Sequence, residues 1–184
     1  MNPTSHFLLS WAVANTADLS RRDRLLVTLC GVVPDMDGAG FIAELLTENT
    51  ASPLIWYSKY HHVLCHNLAF GLLLAAAALL LGVRKWMTAG LALAAFHLHL
   101  LGDLLGSRGP DGYQWPIAYM FPFTTDWQLT WDGQWGLNAW PNILLTLFFL
   151  GITLYLTWKR GRSPLEIISS RADTIFVSKL RHRC

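Results

Sequence analysis

Two apolar runs constrain this chain most: VLCHNLAFGLLLAAAALLLG at 63–82 and MTAGLALAAFHLHLLGDLL at 87–105. Each is close to the ~20 residues that carry a helix across a bilayer. A third run, NILLTLFFLGITLYLTW at 142–158, sits at the short end of that range. A hydrophobic content of 53% against 14% charged residues is beyond an ordinary soluble domain of 184 residues. A soluble helical core would show a polar stripe along each helix, and these runs barely have one. The expected fold is therefore all-α, an integral membrane helical bundle with about three spanning helices.

The basic residues orient that bundle. They fall into three groups: Arg21, Arg22 and Arg24; Arg84 and Lys85; and Lys159, Arg160, Arg162, Arg171, Lys179, Arg181 and Arg183. Placing all three on the cytoplasmic side satisfies the positive-inside rule and makes 63–82 and 87–105 an antiparallel hairpin. Two shorter apolar segments, 6–17 and 25–34, flank the polar DLSRRDR. At ~10 to 12 residues each they are too short to cross a bilayer unaided, so an N-terminal hairpin of two shorter helices is expected, ended by Pro34. The first twenty residues carry no Lys or Arg, which disfavours a cleavable signal peptide. A membrane-embedded domain over 1–162 is thus followed by a basic cytoplasmic tail over 163–184. Outer loops are expected at 38–60 and 106–141, the second dense in Trp and Tyr and suited to the headgroup region.

Some chemistries drop out. Cys30, Cys65 and Cys184 form no CxxC spacing and are odd in number, so neither a disulfide framework nor a cysteine zinc site is indicated. A net charge of +2 without basic patches interleaved with aromatics gives no reason to expect nucleic acid as a partner.

The ionisable residues inside or beside the apolar runs remain to be explained. On this topology His6, Asp35, Asp37, His61, His62, His66, His97, His99 and Asp103 all fall on the outer side, and they include six of the seven histidines. His99 and Asp103 are four apart and share a helical face, whereas His97 points about 200° away from His99 and reads as a hydrogen-bonded core residue. His61 and His66 can converge only if His61 precedes its helix. Asp35 and Asp37 lie on the turn PDMDG, where a tight bend can aim both inward. A charge in lipid costs several kcal/mol unless paired, and a divalent cation is the simplest common partner. Nitrogen and oxygen donors without thiolates suit zinc, manganese or iron, and a donor set this large suits two ions.

The order SHFLL, VPDMDG, HHVLCHNL and HLLGDLL, spanning residues 6–105, resembles the YdjM-like inner-membrane proteins, described as membrane-bound metal-dependent hydrolases. That family is similar to zinc-dependent phospholipases C and single-strand nucleases. The resemblance implies His6, Asp35, Asp37, His61, His66, His99 and Asp103 as metal ligands or close partners. Where the family carries an arginine after the first histidine of its H-x4-H segment, this chain has His62, and where a histidine often follows the second aspartate it has Gly38. His62 and Arg108 are the candidates to replace that arginine as a phosphate contact.

The expected activity is hydrolysis of a phosphoester, in a lipid at the membrane surface, by water activated on zinc or a similar divalent ion, with the site on the periplasmic side of a bacterial inner membrane. Asp37, Asp103 and His62 are the expected catalytic groups, and the lipid bilayer and a lipid or other phosphoester are the expected partners. An ion or proton transporter built on the same cluster is the alternative from another class, and a non-catalytic membrane regulatory protein a third.

Overall fold

The computed structural model describes residues 1–109 and 112–182, so Arg183 and Cys184 lie outside the described residues. The described residues form an all-helical bundle: α1 (Pro3–Ala14), α2 (Arg21–Cys30), a 3-10 turn (Val33–Ala39), α3 (Gly40–Thr47), α4 (Trp56–Tyr60), α5 (Leu68–Leu81), α6 (Lys85–Gly106), α7 (Trp140–Arg160), a second 3-10 turn (Pro164–Ile167) and α8 (Ser170–His182). Two helices, α6 and α7, are long and apolar enough to cross a membrane, and α2 with the segment Val33–Thr47 forms a third candidate span bent by 45°.

Local chemistry sets the boundaries. Asn2 caps α1 by accepting from Ser5 N–H, with Pro3 in the first turn, and Ser20 caps α2 by accepting from Asp23 N–H. The cap at Ser20 starts α2 earlier than the apolar pattern alone suggests. Gly161, in the left-handed region at φ 70°, closes α7 by donating to Thr157 O. The largest departure from the sequence reading concerns 63–82. Asn67 caps α5 by accepting from Phe70 N–H, so the helix has 14 residues. That is about 21 Å of helix, and His61 to His66 form an irregular turn ahead of it rather than its first turns.

The hairpin α5–α6 packs against α2, and α1 fills the groove between α2, α6 and α7. The core is small side chains around a few large ones: Trp11, Ala14, Val27, Ala92, Ala95 and Phe96 are wholly buried. Close approach of α5 to α6 requires Gly71, where a Cβ would come within 2.5 Å of the Phe96 ring. Hydroxyls join α1 to α7, with Ser5 Oγ 2.7 Å from Thr146 Oγ1, a typical polar bond between helices in lipid. The connection after α6 is irregular, held by the isolated bridges Arg108 with Gly136 and Ile117 with Leu129. The segment 38–60 holds α3 and α4 rather than loop alone.

The basic groups meet at one end of the bundle. Buried Asp23 accepts from Val83 N–H at 2.7 Å and Arg84 N–H at 3.3 Å, holding the α5–α6 turn onto α2. Arg24 pairs in bidentate fashion with Glu166, Nε donating to Oε1 at 2.6 Å. The segment after α7 is thereby pinned to α2 and ordered through α8, with Asp173 accepting from Ser163 N–H and Oγ. Breaking a buried pair leaves a bare charge, so Glu166→Gln is expected to lower stability by about 3–5 kcal/mol, while Arg24→Met with Glu166→Leu restores most of it. Denaturant unfolding in detergent checks both.

Candidate metal centre

At the opposite end, four segments deliver donors to one point. The α6 register places His99 and Asp103 on one face, where both are buried. His6 comes from the first turns of α1, Asp35 from the 3-10 turn after α2, and His62 and His66 from the irregular turn before α5. His6 Nε2 lies 2.9 Å from Asp103 Oδ1, and His99 Nε2 lies 2.9 Å from Asp103 Oδ2. His66 Nε2 is 3.1 Å from His99 Nε2 and 3.4 Å from Asp103 Oδ2, with Asp35 Oδ1 3.7 Å from His99 Nε2. His62 Nε2 stands 4.0 Å from Asp103 Oδ2.

The tautomers follow from the outer partners. His99 Nδ1 faces the Gly31 carbonyl at 3.0 Å, and a carbonyl only accepts, so Nδ1 carries the hydrogen and Nε2 presents its lone pair inward. His66 Nδ1 donates to Asp37 Oδ2 at 2.9 Å in the same way. Two imidazole lone pairs and a carboxylate oxygen thus crowd within hydrogen-bond distance of one another. Such an arrangement repels itself unless a proton or a cation sits between. Buried polar atoms without partners point the same way: His6 Nδ1, Asp35 Oδ2, His62 Nδ1 and Asp103 Oδ2 have none. Two sets of donors could each hold an ion, His6 with Asp35, His99 and Asp103, and His62 with His66 and Asp103, the atoms within each lying inside 4.8 Å. The donor chemistry fits a divalent cation of the zinc, manganese or iron kind.

The protonation of the turn histidines reflects this crowding. Burial alone would disfavour the charged ring of His66, but hydrogen bonds to Asp103 and Asp37 and their negative charge push it up to about 9. His62 moves the other way, well below the ordinary histidine range, chiefly because burial penalises its cation. His6 is also lowered, by burial first.

Not every expected ligand joins the cluster. Asp37 belongs to neither donor set: its Oδ1 accepts from His61 Nδ1 at 2.8 Å, and its Oδ2 from His66 Nδ1 and from Cys65 N–H at 3.1 Å. With both oxygens engaged, it positions two rings, the role carboxylates commonly take behind metal-bound histidines. His61 is likewise outside both sets, stacked on Tyr57 at 4.6 Å. His97 turns away, accepting from or donating to Tyr119 Oη at 2.8 Å, with its Nδ1 2.8 Å from Leu93 O. Arg108 does not line the site, because its guanidinium donates to Asp132 O at 2.7 Å. Sequence reasoning missed the Met1 ammonium, which donates to Asp103 Oδ1 and to Gly102 O, and the Gly31 carbonyl, since nothing in residue type marks either.

A cavity of about 250 Å³ opens onto the cluster, lined by Asp35, Tyr57, His61, His62, Asp103 and Trp115 among others. His62 holds a left-handed backbone at φ 65°, uncommon for a residue with a Cβ, and this aims its ring into the cavity.

Asp103→Asn is expected to abolish tight zinc binding, and Asp37→Asn to weaken it about 10- to 100-fold while leaving the fold intact, as chelator competition would show. A cation can engage His66 Nε2 only by displacing its proton. Zinc affinity should therefore rise with pH up to about 9, by about tenfold per unit for a single proton released, and flatten above it. Competition titrations from pH 6 to 9.5 measure this slope.

A family model described as YdjM inner membrane protein matches residues 1–167, a stretch containing every residue of the cluster. No curated protein and no solved structure matches the chain.

Proposed function

Because this chain belongs to the YdjM inner membrane protein family, we propose that it is a membrane-bound, metal-dependent phosphoester hydrolase whose centre faces the periplasm. The observation that carries the reading is the convergence of His66 Nε2, His99 Nε2 and Asp103 Oδ2, which only a shared proton or a cation reconciles, beside a cavity that Asp103 lines. The basic end of the bundle, with Arg24, Arg84 and Arg160, supports placing the opposite, metal-centre end outside.

A divalent cation held by His6, Asp35, His99 and Asp103, with a second at His62, His66 and Asp103, would supply a Lewis acid and lower the pKa of a coordinated water. The chain's own groups account for the rest. Asp35 Oδ2, buried and without a partner, accepts a proton from the attacking water. His62, kept neutral by burial, offers an N–H to a phosphoryl oxygen, standing where the family's motif carries an arginine. Water adds to phosphorus, the ester P–O bond breaks, and the proton taken by Asp35 passes to the departing alkoxide. Asp37 keeps His61 and His66 in register.

A conducting path finds less support. The layer beneath the cluster, towards the basic end, is closed by Val27, Ala92, Ala95 and Phe96, all fully buried.

Elemental analysis of detergent-purified protein followed by turnover of phospholipid and soluble phosphodiesters tests the reading. Chelator should abolish turnover and zinc or manganese restore it. His62→Asn should keep the ion at His6, Asp35, His99 and Asp103, lose the one at His62, His66 and Asp103, and fall about 10²-fold in kcat. Stoichiometric metal with no turnover of any phosphoester would leave a binding or regulatory role in its place.

A further inference from the structure

The segment between the cluster and α5 carries a surface that the proposed chemistry does not use. Helices α3 and α4 pack chiefly on each other and on the 3-10 turn rather than on the bundle. Their outward face is apolar: Met36 is 67% exposed, Ile42 60%, Leu46 76% and Ile55 57%. The charged groups are otherwise engaged. Glu44 accepts from Ser58 N–H at 2.7 Å and from Ser58 Oγ, Glu48 lies in the polar turn 48–53, and the Lys59 ammonium stands 5.2 Å from the Tyr60 ring.

Helix lengths place this hairpin at a definite level. From His99 to the end of α6 at Gly106 is seven residues, about 10 Å of helix. From the 3-10 turn that holds Asp35, the 8 residues of α3, bent 45° from α2, rise about 8 Å to the polar turn. Two separate elements thus agree that the cluster lies about 10 Å below the outer tips of the bundle. The 14-residue α5 stops at that same level, and above it the hairpin's inner side meets Trp115 of the α6–α7 connection, which lies 5.2 Å from Tyr57 and 5.3 Å from His61, while the outward face stays open. Continuity of α3 with α2 as one bent candidate span runs the apolar surface on from membrane-embedded helix.

We propose that the α3–α4 hairpin is immersed in the bilayer, its apolar face against lipid acyl chains and its turn 48–53 at the headgroups. Resting on the hydrolase reading, this deepens it: the centre is rimmed by lipid on the flank that bears Asp35, Gly38, Tyr57 and His61, and takes a phosphoester with a hydrocarbon anchor, delivered laterally from the membrane. Because the 3-10 turn and the end of α4 carry both Asp35 and His61, immersion of the hairpin also fixes two walls of the cavity.

Spin labelling of the full chain in liposomes tests this. With Cys30, Cys65 and Cys184 replaced by Ser, a nitroxide is placed at Leu46→Cys, at Asn49→Cys and, as a lipid-exposed reference, at Phe148→Cys on α7. Power saturation is then compared for dissolved oxygen and a water-soluble nickel chelate. The expected result is that position 46 matches position 148 in favouring oxygen, while position 49 favours nickel. Position 46 as accessible to nickel as position 49 overturns the immersion. The substrate class is read separately from zinc-loaded protein, with kcat/KM for a bilayer phosphoester expected to exceed that for its water-soluble headgroup analogue by at least about 10²-fold. Preference for the soluble analogue overturns lateral delivery. Absence of turnover with the oxygen pattern at position 46 intact would sink the hydrolase reading and the substrate class built on it but leave the immersed hairpin standing.

Discussion

A carboxylate removed from water inside an apolar helix must be compensated, and Asp103, 2% exposed on α6, is the group to which this structure answers. Several segments of the outer half of the bundle bring something to it: the Met1 ammonium and His6 from the N-terminal end of α1, His62 and His66 from the turn before α5, and His99 from one helical turn below. Gln134 from the loop after α6 adds a donor to its backbone carbonyl at 3.0 Å. The packing of α1 between α2, α6 and α7 is therefore more than apolar contact, since it delivers a ring that bonds Asp103 and stacks on His99. Desolvation makes these bonds strong and makes their absence expensive, so the same residue organises the fold and the donor cluster.

Much of this was legible in the residues alone. The lengths of α6 and α7 follow from apolar runs bounded by basic residues, and the i, i+4 spacing of His99 with Asp103 follows from helical geometry. His97 could be set aside by the angle it makes, and its bond to Tyr119 is what a partly buried ring in that position requires. The short α5 was harder. Composition reads 63–82 as one apolar run, yet Asn67 is a strong capping residue and its carbonyl oxygen takes Phe70 N–H, ending the irregular turn and starting the helix there. That single cap decides where His66 points.

The separation of Asp35 from Asp37 was not legible, for a physical reason. Two carboxylates two residues apart in PDMDG look equivalent as donors, and only the tertiary structure decides which faces the rings and which faces their outer nitrogens. In the 3-10 turn the two side chains diverge, leaving Asp35 Oδ2 bare and Asp37 saturated by three N–H donors. A ring nitrogen committed to a carboxylate on one side presents a more basic lone pair on the other, so Asp37 acts on the centre through His66. The α3–α4 hairpin escaped the sequence reading in a similar way, because helices of 8 and 5 residues leave little periodic signal.

The distribution of polarity along the bundle axis separates the two ends into different tasks. At the basic end, charges are consumed in structure: Asp23 holds the α5–α6 turn, and Arg24 with Glu166 ties the segment after α7 to α2. At the other end, lone pairs outnumber the hydrogens available to them, and four buried atoms of the cluster, those of Asp35, His62 and Asp103 beside the cavity and that of His6 behind it, remain without partners. Between lie Val27, Ala92, Ala95 and Phe96, fully buried apolar side chains that separate the two networks in space. The imbalance at one end is the arrangement a cation resolves, and it persists because the Asp23 hydrogen bonds and the ion pair of Arg24 with Glu166 at the other end, and the buried apolar side chains between, hold the helices in place.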